Sequence, residues 1–194
     1  MYIYVVTKIF LKMKKILVLI ITCTLIISCN MSSESKKEGK KSQEIGSVKM
    51  DDGQMNPVIV GNLDNQQIWL DYIKAHNEKN LEKIAEINSD DWIGYTAEGS
   101  VAKGSDTHIE ILDNWFKAAN PKWEVKWMIA NAAKNEEGVM TQWLTTGNDY
   151  SDTDENGEKI FEHNIHDIQF INGKIKEIRV YKRIKAEETK DFSY

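Results

Sequence analysis

Cysteine and proline are nearly absent from this 194-residue chain, at two residues each. Both cysteines, Cys23 and Cys29, fall near the start. The remainder can therefore form neither a disulfide nor a thiolate metal site. Basic charge is scarce as well once the first residues are set aside. Residues 1–29 hold four of the 25 basic residues (Lys8, Lys12, Lys14, Lys15) and none of the 30 acidic ones. Residues 30–194 carry 21 basic against 30 acidic side chains, a net of −9. That balance is poorly suited to a phosphate backbone and argues against nucleic acid as a partner. Apolar residues are not scarce: 41% of the chain is hydrophobic, too much for a disordered protein. The length allows one domain with extensions.

Long hydrophobic runs are also missing, with one partial exception. Residues 16–28, ILVLIITCTLIIS, hold no charge. They fall short of the roughly 20 residues that a membrane-spanning helix needs. Lys12, Lys14 and Lys15 precede them, the basic and then apolar order of an export signal. Ile26-Ile27-Ser28-Cys29 resembles a bacterial lipobox, which implies a signal over 1–28, lipid on Cys29 and an envelope location. Met13 opens the familiar order Met-Lys-Lys-Ile-Leu and is a candidate start. Acylation anchors a protein to a membrane by burying methylenes, at about 0.8 kcal/mol each. Asn30 stands where lipoproteins kept at the inner membrane tend to carry Asp, which points to the outer membrane. Residues 29–60 lack aromatics and begin with a Ser, Lys and Glu-rich stretch. This composition predicts a flexible tether. The folded domain is expected over 61–185, followed by a polar tail over 186–194.

Within that domain, Asp64-Asn65-Gln66-Gln67 has the form of a capping box. Ile68, Trp69, Tyr72, Ile73 and His76 then make one helical stripe. Asn80 can cap a second helix carrying Leu81, Ile84, Ala85 and Ile87. Ser105 can cap a third, through Ile109, Leu112, Trp115 and Phe116, ending before Pro121. Between them Trp92–Tyr95 reads as a strand. From Trp123 the period changes to two, with strands expected at 123–129, 139–146, 159–171 and 174–184. Asn172-Gly173 between the last two is a strong hairpin signal. Helices and then consecutive antiparallel strands predict an α+β fold.

Three stretches carry a resemblance. Asp71-Tyr72-Ile73, Asn80-Leu81-Glu82-Lys83-Ile84 and Ser89-Asp90-Asp91 form the first. Gly104 with the helix to Trp115-Phe116 is the second. Asp167-Ile168-Gln169-Phe170-Ile171-Asn172-Gly173-Lys174-Ile175 with Tyr181 is the third. In order and spacing, 67–184 resembles the nuclear transport factor 2-like superfamily, in its SnoaL-like and ketosteroid-isomerase-like branch. The resemblance implies a cone: helices packed on a strongly curved antiparallel sheet around a pocket. The family includes enzymes and pure binders, so the fold alone names no activity.

Carried over by position, the isomerase's phenol donor falls on Tyr72 and its general base on Thr96. A threonine hydroxyl is no base near neutral pH, and Glu98 could replace it only if its loop bent inward. The remaining acid of the oxyanion hole falls on His166, a residue able to titrate near neutrality. Steroid isomerisation is therefore not expected. On the long third strand, Ile160, Glu162, Asn164, His166, Ile168 and Phe170 share one face, which the resemblance turns toward the pocket. The expected ligand-binding set is Tyr72, Trp115, Trp143, Asn164, His166 and Ile168, with His166 and Tyr72 as the catalytic pair if the protein is an enzyme. The plainest alternative is that Tyr72 and His166 only bond to each other. Trp69, Trp115 and Trp127 read as core, and Trp123 as a residue of a sheet edge or pocket mouth.

His163 and His166 lie on opposite faces of a strand, and His76 and His108 on separate elements, so no metal site is expected. Asp152-Thr153-Asp154-Glu155-Asn156-Gly157 imitates a calcium loop but has His163 where the closing Glu belongs. It reads as a polar hairpin tip. No cofactor is implied. The leading reading is a lipid-anchored binder of a small apolar ligand. A SnoaL-like enzyme and an interaction module, including a homodimer through the sheet, are the alternatives.

Overall fold

Period-two strands do dominate the second half of the chain, with an Asn172-Gly173 turn between the last two. The computed structural model describes residues 43–153 and 157–184. The strands are β1 (Glu44–Lys49), β2 (Met55–Val60), β3 (Asn88–Tyr95), β4 (Val101–Lys103), β5 (Lys122–Lys134), β6 (Met140–Thr153), β7 (Lys159–Ile171) and β8 (Lys174–Ile184). The helices among the described residues are α1 (Asp64–Asn77), α2 (Leu81–Ile87) and α3 (Ser105–Ala118). These strands join one sheet in the order β1-β2-β5-β6-β7-β8-β3-β4. Every pairing is antiparallel except β3 with β8, which is parallel. The result is an α+β cone, with the helices against one face of a curved sheet. Its core joins Trp69, Tyr72, Ile84, Trp92, Leu112, Leu144, Ile168 and Ile175, all nearly or fully buried. That core lies wholly inside the compact unit Ser42–Tyr194, so this unit contains what it needs to fold.

Local chemistry accounts for most boundaries. Asn80 caps α2, its side chain accepting from the Lys83 amide at 2.9 Å. Asn172 and Gly173 both take positive φ, 50° and 75°, as a tight hairpin between twisted strands requires. The first helix is capped differently from expectation. Its N-cap is Leu63, and no side chain completes a capping box. Instead Asn62 Oδ1 accepts from the Asp64 amide at 3.1 Å. Ser105 is likewise no cap. Gly104 holds that position at φ 87°, and the Ser105 hydroxyl accepts from Asn88 Nδ2 at 3.2 Å.

Part of the stretch expected as a tether over 29–60 is folded. Residues 44–60 form the hairpin β1–β2, which joins the sheet edge through Ile59↔Ala132 and Val60↔Asn131. Its residues are mostly exposed. The hairpin adds backbone bonds rather than core, and so leaves little apolar periodicity to read. The export signal, Cys29 and the 186–194 tail lie outside the described residues, as do Asp154, Glu155 and Asn156 of the calcium-like loop. Asp152 is fully engaged: Oδ1 accepts from the amides of Asn120 and Thr153, and Oδ2 from the Tyr150 hydroxyl.

Trp127 corrects another expectation. It is 39% exposed on the outer face of the sheet, not part of the core. There it lies against Gly147, where any Cβ would collide with the indole. Ile129, Phe161 and Tyr181 are also exposed.

Candidate ligand-binding site

Between the helices and the inner face of the sheet lies an open cavity of about 220 Å³. Alternation selects its wall on β7: Asn164, His166, Ile168 and Phe170 are buried, while Phe161, His163, Ile165, Asp167 and Gln169 are not. The face assigned to the pocket is thus the inner one. Tyr72, Trp115 and His166 line the cavity together, beside Trp69, Trp92 and Trp123. Thr96 also lines it. Asn164 faces an adjoining vestibule that shares Thr96, Trp115, Trp123 and His166 with the main cavity. Ile168 is wholly buried and supports the site from the core rather than lining it.

Trp143 is the clear miss. It pairs across the sheet with Asn131 and Gln169 and so projects from the outer face, where Arg179 lies over its ring, 5.4 Å from the centroid. The inner face of β6 is built from Leu144, Thr146 and Asn148. Glu98 does not bend inward. It lies at the vestibule, 61% exposed, and binds Lys182 at 2.5 Å. That ammonium holds the carboxylate below its ordinary range.

Tyr72 and His166 are not partners. The Tyr72 hydroxyl donates to Asn88 Oδ1 at 3.0 Å, and Asn148 Nδ2 lies 2.9 Å from His166 Nδ1. The Trp69 ring stands near both, with centroids 5.6 Å from Tyr72 and 5.2 Å from His166. Asn88 is the hub of the polar wall. It accepts from Tyr72, and its amide nitrogen donates to Ser105 Oγ and, at 3.1 Å, to His108 Nδ1.

His76 and His108, far apart in the sequence, meet here. Their ring centroids are 6.0 Å apart, and both line the cavity. His108 stacks on Trp92 at 3.9 Å with planes 7° apart. The His76 Nδ1 lies 2.9 Å from the carbonyl oxygen of Tyr72, one helical turn earlier. The readable signal is the spacing: Tyr72 and His76 are i and i+4 on α1, and His108 lies i−4 from the buried Leu112 on α3.

Burial fixes the charge of these rings. It pushes His76 down to about 4, and His108 and His166 to about 3, with repulsion from His76 adding to the last two. All three are neutral at pH 7, which overturns the expectation that His166 titrates near neutrality. Burial also raises the Tyr72 phenol well above its ordinary value. The Trp92 indole N–H, near the phenol but outside hydrogen-bond geometry, offsets a little of that rise. His163 sits on the opposite face of β7 and pairs with Asp149 at 2.9 Å. Among the described residues, no group of three His, Cys, Asp or Glu side chains is placed to hold a metal ion.

This architecture defines the class: the chain has the nuclear transport factor 2-like fold. Solved structures of that shape include an LEH-like epoxide hydrolase of M. tuberculosis, at 11% identity and a TM-score of 0.51, over 60% of this chain and 80% of the other. SalBIII, an epoxide hydrolase/cyclase-like enzyme with a role in pyran ring formation in salinomycin, gives 17%, 0.52, 62% and 91%. A protein of this fold and unknown function from Burkholderia pseudomallei gives 14%, 0.51, 64% and 92%. At such identities the likeness is one of fold. No protein-family model and no curated protein matches the sequence.

Proposed function

We propose that this protein is a lipid-anchored envelope module that binds a small, largely apolar ligand in its cone. The observation that carries this reading is the open cavity walled by four tryptophans, with its few polar groups already organised by Asn88. Apolar walls with sparse, oriented polar atoms suit a small molecule. The lipobox-like Ile26-Ile27-Ser28-Cys29 supports the anchor. Binding is favoured over proton transfer because, among the described residues, no carboxylate lines the main cavity, and its imidazoles are neutral at pH 7. A base suited to that pH would need a value near it.

Thr96→Trp tests the reading. Thr96 is exposed at the cavity, and its hydroxyl accepts from the Ser100 amide at 3.1 Å, so a large ring there should plug the opening at a stability cost of about 1 kcal/mol. The expected result is loss of binding of small aromatic probes, read by calorimetry, with a cooperative unfolding curve shifted by no more than that. Unchanged binding overturns the reading.

The exposed Trp127, Ile129 and Tyr181 favour a second role for the outer face, as the seat of another copy of the chain. Sedimentation should show a dimer that Trp127→Lys converts to monomer. A monomeric wild type refutes it.

A further inference from the structure

His76 and His108 are each more than nine-tenths buried, line one cavity, and among the described residues are hydrogen-bonded only through Nδ1. Their partners fix opposite tautomers. A backbone carbonyl can only accept, so His76 carries its proton on Nδ1 and leaves Nε2 as an acceptor. An amide nitrogen can only donate, and Asn88 turns its Nδ2 to His108 and its Oδ1 to the Tyr72 hydroxyl. His108 Nδ1 therefore accepts, and its proton lies on Nε2 as a donor. One free acceptor and one free donor thus remain on two rings that line the same cavity, with centroids 6.0 Å apart. No hydrogen bond joins them.

We propose that the cavity selects an uncharged alcohol or phenol, whose hydroxyl donates to His76 Nε2 and accepts from His108 Nε2–H. This rests on the ligand-binding reading above and adds the chemistry of the ligand's polar end. An oxygen at hydrogen-bond distance from both Nε2 atoms stands about 4 Å from each ring centre, which a 6.0 Å separation permits. An ether can only accept and leaves His76 unsatisfied. A hydrocarbon leaves both unsatisfied. A carboxylate cannot donate to His76 and enters a cavity with no charged lining residue among those described. The apolar body of the ligand would rest against Trp69, Trp92, Trp115 and Trp123.

The test uses residues 42–194 and four probes of one shape: 4-ethylphenol, 4-ethylanisole, ethylbenzene and 4-ethylbenzoate. Calorimetry should give 4-ethylphenol an advantage of about tenfold over ethylanisole and ethylbenzene, the worth of one satisfied hydrogen bond, and no measurable ethylbenzoate binding. His76→Phe should abolish the advantage while ethylbenzene still binds. Imidazole nitrogen NMR of the wild type does not depend on that variant folding. It should show Nε2 of His76 and His108 shifting with ethylphenol but not with ethylbenzene. Equal affinity for ethylphenol and ethylbenzene overturns the hydroxyl proposal and leaves the cavity reading intact. Tighter binding of ethylbenzoate, or tautomers opposite to those assigned, also overturns it. Failure of all four probes defeats both readings.

Discussion

Acidification from pH 7 to 5 should remove several kcal/mol from the stability of residues 42–194. The cause is the three buried imidazoles. In the unfolded chain each binds a proton near its ordinary value of 6.5, whereas in the fold burial holds them at about 4, 3 and 3. The unfolded state therefore takes up protons first as pH falls, and stability falls with it. The contribution is complete above 6.5 and is lost progressively down to the folded values. Each ring gives up about 1.4 kcal/mol per pH unit inside that window, or about 6 kcal/mol for three rings by pH 5. Above pH 5 the native rings are all neutral, so their mutual repulsion does not enter. A domain of this size commonly has only about 5–15 kcal/mol to lose. Urea unfolding followed by tryptophan fluorescence at pH 7.5, 6 and 5 checks this, and His108→Phe should flatten the slope by about one third. A stability independent of pH over that range would show that the rings are solvated.

Gly94→Ala should be strongly destabilising, although it adds a single methyl. The glycine lies two residues from Trp92 on the inner face of β3 and lines the cavity. A Cβ there would fall inside the indole of Trp92, a 4% exposed ring held flat on His108. Moving that ring disturbs His108, and through it Asn88 and Tyr72. A loss of about 2–3 kcal/mol is expected from overpacking, with loss of probe binding. Trp92→Leu in the same chain should make room and recover part of the loss, a non-additivity that marks direct contact. Gly99 provides the contrast. No atom lies within 4 Å of its hypothetical Cβ, and only its φ of 88° resists substitution. Its Ala variant should cost about 1 kcal/mol and leave binding unchanged. If the two variants cost the same and bind alike, the steric account of Gly94 is wrong.

Much of the frame is legible because local chemistry and burial agree there. The bounds of β7 and β8 follow from alternation and Asn172-Gly173, and α2 from Asn80. Tyr72, Trp115 and His166 reach one cavity because helical and strand periods both orient them inward. What escapes depends on pairings between distant segments. Trp143 is misplaced because the register of β6 against β7 sets Trp143 opposite Gln169, a residue already assigned to the outer face. Neither strand states that register alone. The hairpin of residues 44–60 escapes because an exposed edge strand needs no apolar face. The pairing of His76 with His108 depends on how α1 and α3 approach, and the tautomers depend on a hub, Asn88, that looks like an ordinary helix terminus.

The place of β8 in the sheet has a kinetic consequence. It is the latest of the described strands to be synthesised, yet it lies between β7 and β3 rather than at an edge. Residues 88–95 must wait for partners at 175–179, more than 80 positions later. Contacts that close such long loops form slowly, because the chain loses freedom well before the pairing compensates. Until those residues emerge, the β3–β4 pair and the cavity wall it carries cannot join the rest of the sheet. The cavity is thus assembled last, in a single closing step, rather than being built up as the chain is made.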